Sequence, residues 1–167
     1  MREIGKSYPR LPLTAPGQED DPVRFLAWLG EAIPMVQHLG IREMTRDGER
    51  LIWTLDLTPN LNDKGTGFGG ALTAQTTLLG WCWTTLWLRR HSLARNVVVA
   101  EASQRFLAPV TNHYRLECEP EAENGPERLA EQLAHKGRGR IILVQRLWCG
   151  ESLCLEARGD YAVLGGS

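Results

Sequence analysis

The chain has 167 residues, 43% of them hydrophobic and 23% charged, enough for one domain whose core needs neither disulfides nor metal. A net charge of -1 excludes wholesale electrostatic binding to nucleic acid or to an anionic membrane. Its cysteines (Cys82, Cys118, Cys149 and Cys154) contain no CxxC pair, which excludes a disulfide framework and predicts reduced, mostly buried thiols.

Residues 1–19 are rich in Pro, Gly and polar groups and predict a loose N-terminal arm ahead of a single domain over 20–167. They contain no apolar run of the signal-peptide kind, so the cytoplasm is the expected compartment. Asp20 or Asp21 can cap a helix with Pro22 in its first turn. Val23, Phe25, Leu26 and Leu29 form its apolar side, and Pro34 interrupts it. Residues 39–45 and 50–57 predict two strands joined by a turn at Arg46-Asp47-Gly48-Glu49. In the second, Leu51, Trp53, Leu55 and Leu57 alternate with Arg50, Ile52, Thr54 and Asp56, giving one buried and one mixed face.

Beyond Pro59 a loop leads into a long helix over about Phe68 to Arg90. No charge occurs between Gly65 and Leu88, a stretch long enough to cross a bilayer. Its many threonines, with Gln75 and a cluster of glycines, suit a helix enclosed by protein rather than by lipid, so no membrane span is expected. Arg89, Arg90 and His91 complement its C-terminal dipole. A helix that is apolar nearly all round must be enclosed, and a curved sheet does this economically. The remaining chain supplies it: strands over 96–107 and 112–119, a short amphipathic helix over 126–136, and a hairpin of 138–149 and 151–164 over Gly150. The order predicts an α+β domain with an antiparallel sheet wrapped around one long central helix.

The loop and helix start read Asn60-Leu61-Asn62-Asp63-Lys64-Gly65-Thr66-Gly67-Phe68-Gly69-Gly70-Ala71-Leu72. This resembles the hot-dog thioesterase signature, in which an Asn precedes a Gly-rich turn and His-Gly-Gly or Phe-Gly-Gly opens the central helix. With Thr77–Trp81, Glu101–Val110 and Lys136–Arg140, residues 20–164 resemble the thioesterase family also found as the C-terminal domain of YiiD-type acyltransferases. The resemblance implies a hot-dog fold and a homodimer, or a tetramer built from it, with its active site between subunits. It also implies an acyl thioester of coenzyme A or acyl carrier protein as substrate. Coenzyme A or phosphopantetheine then arrives as part of the substrate, and no separate cofactor or metal is expected.

Thioester hydrolysis needs a polarised carbonyl and an activated water. The backbone N–H groups of Phe68, Gly69 and Gly70, at the positive end of the helix, are the candidate oxyanion hole, approached past Gly65 and Thr66. The same glycines would equally allow tight packing. Asn62 stands six residues before Phe68, where resembling thioesterases place an Asn that orients water or thioester, and it equally suits an Asx turn. Nine residues beyond the His or Phe position many relatives carry an acid; here it is Thr77, which can hold a water but cannot act as a base at neutral pH. Glu101, among Val97, Val98, Val99 and Ala100, is the substitute candidate, its alternative being a structural ion pair with Arg105 or Arg115. Lys136, Arg138 and Arg140 form a basic turn that could meet phosphates or simply be solvated. The missing helix carboxylate also leaves open a non-catalytic acyl-thioester-binding or scaffold protein. A dehydratase is disfavoured because Phe68 stands where its His would be.

Overall fold

The computed structural model describes residues 1–166; Ser167, the end of the expected domain, lies outside the described residues. Helix α1 spans Pro22–Ala32, capped by the Asp21 carboxylate, which accepts from the Val23 N–H. Pro34 then opens a 3-10 turn through His38. Strands β1 (Ile41–Asp47) and β2 (Arg50–Leu55) form a hairpin over Gly48, at φ +61°. After them come α2 (Gly69–Arg90), β3 (Val97–Phe106), β4 (Tyr114–Pro120), α3 (Gly125–Lys136), β5 (Gly139–Cys149) and β6 (Ser152–Val163). Strand β1 starts two residues later than expected because Gly40, at φ +72°, turns the chain where a Cβ would lie 2.8 Å from Pro59 Cγ.

The strands form one antiparallel sheet in the order β1-β2-β4-β5-β6-β3. Alternate residues Leu51, Trp53 and Leu55, Tyr114, Leu116 and Cys118, and Leu155, Tyr161 and Val163 are buried on the inner face. They pack with Leu72, Leu79, Cys82 and Trp83 of α2 in one core. This is the α+β sheet wrapped around a central helix that the patterning predicts. At the contact, Tyr161 Oη donates to Thr77 O at 2.7 Å and lies 2.1 Å from where a Gly80 Cβ would stand. The helix is enclosed on all but one stripe, where Thr73, Ala74, Thr77, Leu78, Trp81 and Thr85 are only partly buried.

Strand β3 forms one edge of the sheet, paired on one side only. Among the described residues no helix is long and apolar enough to cross a membrane.

Residues 1–19 have no helix or strand, yet within the arm expected to be loose the stretch from Pro9 to Pro12 is bonded to the domain. The Arg89 guanidinium, 8% exposed, pairs with Asp20 at 2.8 Å and donates to Leu11 O at 2.6 Å and Pro12 O at 2.8 Å. Trp28 Nε1 adds a bond to Pro9 O at 2.9 Å. Backbone carbonyls without regular partners are satisfied here by a buried guanidinium and a half-buried indole, which the arm's polar composition does not reveal.

Candidate active site

The start of α2 is positioned by a buried polar network. Asn60, 3% exposed, donates from Nδ2 to Leu39 O at 2.8 Å and Asp56 O at 2.9 Å. Gln75, fully buried on α2, donates to Leu39 O at 3.2 Å and accepts from Tyr114 Oη at 2.7 Å. Burial pushes the Tyr114 hydroxyl up to about 12, so it serves as a donor rather than an acid at neutral pH. Sequence reasoning missed Gln75 and Tyr114 as site supports. The available signal was an amide within an otherwise apolar helical stretch, which burial obliges to find partners.

Asn62 holds the loop. Its Oδ1 accepts from the Lys64 and Thr66 N–H groups at 2.9 and 3.0 Å. Its Nδ2 donates to Thr66 Oγ1 at 2.8 Å and Gly67 O at 3.3 Å. Both donors and both acceptor directions of the amide are thereby used. Asn62 and Thr66 are partners in one turn, closed at Gly65, whose φ is +75°. The turn delivers Gly67, whose N–H donates to Val110 O at 2.9 Å, and Phe68, whose N–H donates to Asn60 O at 2.8 Å.

This corrects the expected oxyanion hole: the Phe68 N–H is already committed. The N–H groups of Gly69, Gly70 and Ala71 have no acceptor among the described residues. Gly70 is exposed and Gly69 half-buried, so the amides open to solvent at the positive end of a 22-residue helix. The Phe68 ring, 53% exposed, folds over Gly70, where a Cβ would come within 2.7 Å of it.

Thr77 stands on the same side of α2 as Gly70, about 10 Å further along the axis. Its Oγ1 accepts from Gln104 Nε2 at 3.5 Å. Gln104, which the sequence reading also missed, reaches the helix because a β-bulge between Val99 and Glu101 shifts the register. Beyond the bulge, Ala102, Gln104 and Phe106 oppose Gly159, Ala157 and Leu155 on the helix side. Glu101 opposes Asp160 instead, with Ser103 opposite Arg158, on the outer face of the sheet. Here a second expectation is corrected: Glu101 is exposed on the face away from α2, and forms no ion pair among the described residues. Arg115 pairs with Glu117 at 2.8 Å instead.

The basic turn is also split. Arg140 pairs with Asp160 at 3.2 Å, whereas Lys136 and Arg138 are exposed and have no carboxylate partner among the described residues. Strand β3 runs back along α2, from Val97, whose carbonyl accepts from Trp81 Nε1 at 2.8 Å, to Phe106 beside Gly69. Gly139 pairs with Val163 and Val163 with Val97, so the basic turn lies at the end of the sheet away from the Gly69 amides. Within one chain the structure brings the Asn62 turn to the helix amides and Thr77 to Gln104. It brings neither Glu101 nor the basic turn to them.

The thiols of Cys82 and Cys118 offer no nucleophile, since desolvation pushes both far above the ordinary thiol range. Among the described residues no group of His, Cys, Asp and Glu gathers in a way that could hold a metal ion. The arrangement can hold an anionic oxygen on open amides and a water on neutral side chains.

A protein of unknown function from Chlorobaculum tepidum is similar in structure, with a TM-score of 0.78 and 28% identity over 86% of this chain and 94% of that one. A thioesterase from Haemophilus influenzae, 18% identical over 89% of this chain and 94% of that one, shares the hot-dog fold with a TM-score of 0.70. Residues 24–165 match the family described as "Putative thioesterase (yiiD_Cterm)". The chain belongs to this thioesterase family.

Proposed function

We propose that the protein is a homodimeric hydrolase of acyl thioesters carried by coenzyme A or an acyl carrier protein. The observation that carries the reading is the row of open amides at Gly69, Gly70 and Ala71, where a thioester oxygen can gain negative charge. Asn62 serves as a positioning residue, since its side chain is spent on the turn that sets Phe68 and the amides.

The free edge of β3 supports the dimer. Val99 and Phe106 are 44% and 56% exposed there, continuous with the open stripe of α2. A two-fold axis that joins two β3 edges runs them antiparallel and keeps the sheet continuous. It sets the Val97 end of the partner beside the Phe106 end of the first chain. The Gly69 amides of one chain then face the α2 stripe of the other, with its Thr77–Gln104 pair to hold water. Lys136 and Arg138 of the partner lie at that same end, suited to phosphates of the carrier. Attack forms the carbon–oxygen bond, the carbon–sulfur bond breaks, and the water proton passes to the leaving thiolate. Glu101 remains on the outer face in such a pairing, and no step requires it.

The test is a panel of acyl-CoA and acyl-carrier thioesters assayed by release of free thiol. Gly69→Pro is the informative variant. Proline is well accepted at the first position of a helix, and Phe68, at φ -72° and ψ 118°, has the backbone that precedes one. The substitution removes one amide donor while keeping the helix. Expected is a fall in kcat of about 100- to 1,000-fold with thermal stability retained. The absence of a carboxylate beside the amides favours a second reading, a non-catalytic acyl-thioester binder. It is upheld if the wild type binds thioesters without turnover.

A further inference from the structure

Two aromatic rings stand beside the open amides, and the core uses neither of them. The Phe106 ring lies 3.6 Å from the place of a Gly69 Cβ, and the Phe68 ring lies over Gly70. Both rings are more than half exposed. Leu61, which pairs with Gly67 just ahead of them, is also exposed. Large apolar side chains gathered on a surface around hydrogen-bond donors mark a place for a ligand. Pairing of two β3 edges leaves the Phe106 ring beside the amides. Strand pairing uses backbone groups in the plane of the sheet, and side chains stand perpendicular to it.

Strand β3 supplies Phe106 through an irregularity. Counted from buried Val97, strict alternation turns Glu101, Ser103 and Arg105 towards α2. The bulge between Val99 and Glu101 reverses this: Arg105 lies on the outer face opposite Glu156, and Phe106 takes the helix side. At the row of amides the bulge therefore exchanges a guanidinium for a phenyl ring. The charges that precede Phe68 on the turn, Asp63 and Lys64, are exposed and pair with each other at 3.0 Å. A carbon chain attached to a carbonyl on these amides meets rings. A second carboxylate on that chain meets no free cation there, and desolvating it without a partner is costly. An alkyl or aryl chain gains from the same contact. We propose that Phe106, placed by the β3 bulge, acts with Phe68 to select uncharged, apolar acyl groups and to reject acyl groups bearing a second carboxylate. The assignment rests on the thioester reading and names the acyl class of that same site.

Hexanoyl and adipoyl thioesters have chains of equal length and differ by one terminal carboxylate. They are compared on coenzyme A and on carrier protein by release of free thiol, and their unhydrolysable thioether counterparts by calorimetry. The wild type should favour hexanoyl over adipoyl by about 100-fold or more in kcat/KM. Phe68→Ala and Phe106→Ala should each lower kcat/KM for hexanoyl about tenfold, chiefly through KM, and leave adipoyl unchanged. Phe106→Leu should keep the preference, whereas Phe106→Arg should raise kcat/KM for adipoyl about tenfold. Both rings are exposed, so thermal melts of the alanine variants should match the wild type. Turnover of the two esters within about threefold of each other overturns the assignment and leaves the hydrolase standing. A preference that neither alanine variant moves does the same. Suppose instead that no ester is turned over, yet the hexyl thioether binds about tenfold or more tighter than its carboxylated counterpart. If the alanine variants lose that difference, the acyl assignment is upheld and the hydrolase removed. Absence of both turnover and binding removes both.

Discussion

At Gly80 the central helix has no room for a side chain, because the Tyr161 hydroxyl fills the place where a Cβ would go. Tyr161 cannot retreat without giving up its bond to Thr77 O, and its ring is fully buried. Gly80→Ala should therefore destabilise the fold by about 3 kcal/mol, the upper range for forcing atoms into a packed core. Gly70 presents a different case, since the group it would crowd is the half-exposed Phe68 ring, which can swing away. A paired thermal melt checks the contrast: the Gly80 variant should lose several degrees more than Gly70→Ala.

At the scale of elements, Arg89 deserves the comparison with its neighbour Arg90. Both suit the dipole at the end of α2, but only Arg89 is buried, holding Asp20 and two carbonyls of the N-terminal segment. Arg89→Met leaves the Asp20 carboxylate, 5% exposed, without its cation. Expected is a loss of about 3 kcal/mol, together with rapid proteolysis within residues 1–19, read by limited digestion and mass spectrometry.

Periodicity made most elements legible, because burial on one face repeats every second residue in a strand. The α1 cap, the α2 span and the β5–β6 hairpin lie within a residue or two of their expected places. It failed where one residue breaks the period. Counting from buried Val97, strict alternation puts Glu101 and Arg105 inward, whereas the bulge after Val99 turns Gln104 and Phe106 to the helix. No composition signal marks that insertion. Asn62 was legible as a turn residue and as a candidate for water, but only the bonds of Thr66 and Gly67 show where its amide is spent.

For the molecule as a whole, the core is sealed around groups that ionise only in strong base. Burial raises Tyr114 from an ordinary 10.0 to about 12, and raises Tyr161, Cys82 and Cys118 in the same direction. These groups are neutral when protonated, so the folded state keeps its protons to higher pH than the unfolded chain. Their stabilising effect is whole below the ordinary thiol value of 9.0 and declines as pH rises beyond it. For Tyr114 the decline falls between pH 10 and about 12 and is on the order of 2 kcal/mol. Chemical denaturation repeated from pH 7 to 12 should show a flat midpoint up to about pH 9 and a progressive fall above it.

The tyrosine lodged opposite Gly80 also acts as a key in a keyway. A smooth apolar rod inside a sheet is free to slide or spin with little change in contact area, yet this one is keyed at its middle by Tyr161 and held towards its ends by the bonds of Gln75 and Arg89. Any opening at the front of the rod must therefore come from the Asn62 turn or the Phe68 ring. The amides themselves stay at a fixed depth, like a ruler clamped along its length.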